Sequence, residues 1–202
     1  MLSSRSNHER PDTRQHILDC GRLLVATKGF VGVGLAEILS TAGVPKGSFY
    51  HYFENKDAFG QALITRYADY FARKLERHFS DTTRAPLTRI RDAIADLQAG
   101  MARHEFRRGC LVGNLGQEMG SLPEAFRTQL SDVFADWQQR FARCLREAQA
   151  GGEIPEHIDC DEAAAFFWIG WEGAVLRAKL ERRMAPLELF VRHFFAGLHV
   201  TE

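Results

Sequence analysis

The chain has 202 residues, room for one sizeable domain or for a small module joined to a larger one. Its 26 basic and 26 acidic side chains cancel, so no overall basicity announces a nucleic-acid partner, and local charge must carry any such argument. Cys20, Cys110, Cys144 and Cys160 are widely spaced with no C-x-x-C pair, which excludes zinc spacing and, in a reducing compartment, a disulfide framework.

Taken in chain order, residues 1–11 read as a flexible polar arm. The opening MLSSRSNHERPDTR lacks the apolar stretch of a signal peptide. No apolar run approaches the roughly 18 residues that span a bilayer, so a cytoplasmic protein with no membrane contact is expected. Everything after the arm reads as helix. Asp12 is placed as an N-cap with Gln15 three residues on, as in a capping box. Ile17, Leu18, Gly21, Leu24 and Val25 follow at helical spacing, and Gly29 closes the helix.

A short helix from about Leu35 to Ala42 is stopped by Gly43. Another runs from about Lys46 to Phe53, with Pro45 in its first turn, where a missing N–H costs little. Asn55 caps a longer helix through Phe59, Leu63, Tyr67, Tyr70, Phe71 and Leu75. SDTTRAP, residues 80–86, is a turn-rich joint. A helix from about Pro86 to His104 precedes the glycine-rich RRGCLVGNLGQEMGSLP, which reads as a short or broken helix. A long helix from about Pro123 to Ala150 carries a stripe of Phe126, Leu130, Val133, Phe134, Trp137, Phe141 and Leu145. After the loop AGGEIPEHID, helices from about Cys160 to Arg183 and Pro186 to His199 close the chain. The fold class is all-α: a three-helix head over residues 12–56 and a C-terminal helical domain over 57–202.

The two short helices joined by Ala42-Gly43-Val44 have the proportions of a helix-turn-helix, whose second helix enters the major groove. Phe49 and Phe53, four apart, share one face and bury against the first helix. Ser48, Tyr50, His51 and Tyr52 are left for phosphates and base edges, with Lys46 and Lys56 bracketing them as phosphate neutralisers. Up to Lys56 there are seven cations against five acids, a balance that taken alone fits a three-helix core with polar surface as well.

Gly29-Phe30, Ile38, Ala42-Gly43-Val44, Lys46-Gly47, the Phe49-Tyr50-His51-Tyr52-Phe53 core and Lys56 together resemble the DNA-binding module of the TetR family of repressors. The likeness is close over residues 12–60. One departure is Gly34, where the family carries a hydroxyl residue; a glycine caps but offers no phosphate contact. The resemblance implies a homodimer reading a palindromic double-stranded operator, and a C-terminal domain that senses a small-molecule inducer and dimerises. No cofactor and no metal are implied.

Arg107-Arg108-Gly109-Cys110-Leu111 is the sharpest feature beyond the head, because nearby cations and a helix N-terminus favour a reactive thiolate. A small buried apolar cysteine is the plainer reading. RRGCLVGNLGQEMGSL and WEGAVLRAKLERRMAPLE resemble the electrophile- and oxidant-responsive subgroup of the NemR and AcuR types. That resemblance implies Cys110 as the sensor, tuned by Lys179, with acrylate-like or quinone- and aldehyde-like inducers. The alternative is a noncovalent pocket between the rings of Trp137, Phe141, Trp168 and Trp171, with Asn114, Gln117 and Glu172 as its polar groups. Those rings serve a core or a dimer seam equally well. Two readings stand further off: a thiol enzyme using Cys110 and His104, which lacks an orienting third residue or a recognisable motif, and a helical interaction module without DNA.

Overall fold

The computed structural model describes residues 12–198. The N-terminal arm expected over residues 1–11 lies outside them. Nine α-helices and one 3₁₀ turn, with no strand, make up the described residues.

The head comprises α1 (Thr13–Lys28), α2 (Leu35–Ala42) and α3 (Lys46–Tyr52). The Asp12 carboxylate caps α1 by accepting from Arg14 N at 3.0 Å. Gly43 breaks the chain between α2 and α3 at φ 62°, ψ 30°, the left-handed conformation that a residue without Cβ adopts at least cost. Phe49 and Phe53 are buried, with ring centroids 5.8 and 5.3 Å from that of Phe59.

Phe59 belongs to α4 (Lys56–Phe79), which is capped by Asn55 Oδ1 accepting from Ala58 N at 2.8 Å. This helix runs unbroken from the head into the C-terminal body. Its second half packs on α5 (Pro86–Ala102) and α7 (Glu124–Ala150). The expected stripe of α7 faces the core, with Phe134 half-buried and the other six side chains buried. Between α5 and α7 lies the glycine-rich segment, which forms α6 (Leu111–Gln117) and the 3₁₀ turn Met119–Ser121.

Two last helices, α8 (Cys160–Glu181) and α9 (Ala185–Leu198), close the body. α8 is apolar on both sides. Phe167, Trp168, Trp171 and Val175 face the core, while Phe166, Ile169 and Leu180 are 61, 73 and 71 % exposed. Two contacts seat the head on the body: the rings of Phe30 and Phe126 meet edge to face at 5.2 Å, and the Glu118 carboxylate accepts from Phe30 N at 3.1 Å and Val31 N at 2.9 Å.

Candidate functional site

The first site is the outer face of α3. Burial of Phe49 and Phe53 turns Lys46, Tyr50, His51 and Tyr52 outward, with Tyr50 50 % exposed. Lys46 Nζ lies 5.8 Å from the Tyr50 ring centroid, and the His51 and Tyr52 rings meet at 4.7 Å. The result is a compact group of donors and rings on the second helix of a helix-turn-helix. Ser48 is only half-exposed. Lys56 does not stand free beside them as the sequence places it. Its ammonium donates to Phe30 O at 2.7 Å and sits over the Phe30 ring at 4.7 Å. Partial burial lowers its pKa, against the opposing charges of Asp57 and Glu118. One of its three protons is therefore spent on holding the head's own turn.

The second site surrounds Cys110. A cavity of about 280 Å³ opens between head and body. Arg22 and Ala26 of α1, Tyr67, Phe71 and Lys74 of α4, Leu97 and Met101 of α5, Arg103 to Cys110 in part, and Trp171 and Val175 of α8 wall it. Its floor is apolar and its rim cationic. Lys74 and Arg103 both approach Asp96, at 3.2 and 3.7 Å, whereas Arg22 and Arg108 have no acidic partner among the described residues. Burial, and then the charges of Arg108, Arg103 and Arg22, hold His104 below its ordinary pKa, so these guanidiniums converge on one place.

Cys110 is the N-cap of α6, its sulfur accepting from Gly113 N at 3.4 Å. The thiolate expected from the adjacent arginines is not what its surroundings favour. Burial pushes the thiol well above its usual pKa, and the neighbouring Glu172 carboxylate pushes it further. The Tyr67 phenol, also raised by burial, lies against the same sulfur. Lys179, expected to pair with the thiol, instead donates to Asn114 Oδ1 at 2.8 Å. Its charge acts on Glu172, where burial outweighs it and raises the carboxyl to about 7.

The aromatic pocket drawn from the sequence is corrected in the same way. Trp137, Phe141 and Trp168 are fully buried against one another and against neighbouring rings. Trp137 lies 4.2 Å from Phe71 and 5.1 Å from Trp168, and Phe141 stacks on Phe167 at 4.3 Å. They fill the core, and of that set only Trp171 reaches the cavity wall. Asn114 is engaged by Lys179, and Gln117 is exposed at the end of α6. Glu172 is where the two ideas meet, as a polar group beside the Cys110 thiol. Its position as a lone acid inside AAAFFWIGWEGAVL was the available signal.

Residues 17–63 match the family described as bacterial regulatory proteins of the tetR family, and residues 86–194 match the tetracyclin repressor-like C-terminal domain. The transcriptional regulator AcuR of Cereibacter sphaeroides is 56 % identical over 89 % of this chain and 82 % of its own. The transcriptional repressor NemR of Escherichia coli is 31 % identical over 93 % of this chain and 94 % of its own. Among solved structures, a regulatory protein TetR from Rhodobacter sphaeroides superposes with a TM-score of 0.88 at 55 % identity, covering 90 % of this chain and 96 % of its own. The reduced form of E. coli NemR superposes at 0.81 with 31 % identity, over 91 % of this chain and 95 % of its own. The chain belongs to the TetR family of transcriptional regulators. It is a DNA-binding repressor of that type, and the thiol-enzyme and DNA-free readings fall. No helix among the described residues is long and apolar enough to cross a membrane.

Proposed function

We propose that this repressor acts in the cytoplasm as a homodimer on a two-fold symmetric operator. A small, carboxylate-bearing electrophile of the acrylate type enters the Cys110 cavity and alkylates the thiol, and the repressor then leaves its DNA. The observation that carries this reading is the position of the sulfur. It lines the cavity, caps α6 and touches Tyr67 of α4. Added bulk there meets both helices that join the body to the head. α4 carries the head directly, and α6 ends at Glu118 on the head's Phe30 and Val31 amides. Two half-sites about 34–36 Å apart require the two heads in register, so a small tilt of α4 releases both.

The choice of electrophile follows from charge and size. Arg22 and Arg108 favour a carboxylate, and about 280 Å³ falls just below the usual range of about 300–1,000 Å³ for drug-sized ligands. A protonated thiol is a poor target for oxidants, which require thiolate, so an electrophile held in place is favoured over a diffusing oxidant.

The test uses intact-protein mass spectrometry and a mobility shift on the DNA upstream of the protein's own gene, with acrylate as the probe. Wild type should gain one adduct at Cys110 and leave the DNA. Cys110→Ser should bind DNA as well as wild type and stay bound. Release of the serine variant at the wild-type acrylate concentration would remove the thiol and leave a noncovalent cavity.

A further inference from the structure

A protonated, enclosed thiol is a weak nucleophile, and the reading above needs it to attack carbon. We propose that Glu172 is the general base of that reaction, taking the Cys110 proton as the S–C bond forms and returning it to the adduct. The inference rests on covalent sensing at Cys110 and adds a residue to it.

Three observations place Glu172 in this role. Its carboxylate lies against the first turn of α6, the turn that Cys110 caps, and its charge acts on the thiol there. It gets there because position 113 is glycine: a Cβ at Gly113 would stand 1.9 Å from Glu172 Oε2 and 3.7 Å from Cys110 Cβ. Its other oxygen, Oε1, is enclosed and without any hydrogen-bond partner, a costly arrangement for a group with a purely structural role. The neighbouring candidates are otherwise engaged. Lys179 is tied to Asn114, His104 lies among arginines at the rim, and Tyr67 is a phenol raised by burial.

The step balances without any further reactant. The thiol's bonding pair attacks the β-carbon of the unsaturated acid while the proton passes to Glu172. The π electrons move toward the electrophile's carboxylate, which the cationic rim receives. Glu172 then delivers the proton to the α-carbon, leaving a thioether and an ionised carboxylate. Gly113 N–H, already aimed at the sulfur, stabilises the charge that develops on it. Nothing is oxidised or reduced.

The titratable and charged groups around the thiol are Glu172 and Lys179 from α8, Tyr67, Tyr70 and Lys74 from α4, Arg22 from α1, and Arg103, His104 and Arg108 before α6. Among them Glu172, raised to about 7, lies beside the sulfur. The rate of acrylate addition to the full-length protein, followed by intact-mass spectrometry against pH, should therefore rise through about 7 and level off. Glu172→Gln should lose that inflection and react about 10²-fold more slowly near neutrality. Equal or faster reaction of the glutamine variant would overturn the proposal, because the carboxylate would then only be suppressing thiolate. Operator binding by the variant checks that it folds. Should it not fold, the wild-type profile decides: a rate proportional to hydroxide throughout, with no inflection, is incompatible with a carboxylate base. A wild type that gains no adduct at Cys110 sinks the covalent reading itself and this proposal with it, an outcome distinct from either of those.

Discussion

Glu172 connects the chemistry of the site to the stability of the fold. In an unfolded chain its carboxyl titrates near the ordinary value of about 4.3, and in the folded protein burial raises it to about 7. Between those values the native state binds the extra proton. Stability is then fully present below the unfolded value and is lost as pH rises through the folded one. A shift of this size corresponds to about 4 kcal/mol. Denaturant melts at a series of pH values should show wild type losing about that much relative to Glu172→Gln, whose stability lacks this dependence. Parallel curves would mean the carboxyl is ionised throughout. The sequence marks Cys110 through its arginines and Glu172 as a polar group of an aromatic pocket, but it does not pair them. They are 62 positions apart, and helical periodicity tells which face a residue occupies without telling what lies opposite. The same limit explains Lys179 and Lys56. The resemblance places Lys179 beside the thiol and sequence neighbours place Lys56 beside the recognition helix, yet both are engaged by residues far along the chain.

At the level of elements, α6 is short, seven residues, yet both its ends are occupied. The Cys110 sulfur caps one end, and Glu118 just beyond the other holds the amides of the turn between α1 and α2. Glu118→Ala removes the acceptor of those partly exposed amides, at a cost of about 1 kcal/mol. Adduct formation should be unaffected while operator release weakens, read by mass spectrometry and mobility shift on the same samples. Unchanged release would leave α4 as the route. The helices themselves were largely legible, because Gly29, Gly43, Asn55 and Pro86 punctuate the chain and the stripe of α7 keeps its period. The use of the aromatic rings was not. Trp137 and Trp168 at helical spacing fit a cavity wall and a packed core alike, and only tertiary packing separates the two.

At the scale of the whole molecule, α8 presents an unpartnered apolar face of Phe166, Ile169 and Leu180, with Leu189 of α9 beside it. A second copy of the chain covering that face gives the pair of heads that a symmetric operator requires. Ile169→Lys should leave the fold of each protomer intact, since the side chain is 73 % exposed, and should yield monomers by sedimentation. Operator affinity should drop by about 10²-fold or more as one linked pair becomes two separate binders. A variant that stays dimeric would place the seam elsewhere.

The walls of the cavity come from two bodies at once: Arg22 and Ala26 ride on the head, and most of the remainder belongs to the C-terminal helices. On the proposed reading, inducer and DNA compete over the shape of one shared boundary. For the reversible docking that would precede alkylation, thermodynamic reciprocity applies: whatever factor a docked inducer takes from promoter affinity, the promoter takes from docking affinity. On that reading a repressor seated on its gene is shielded by that gene, and the free pool is the first to register the signal.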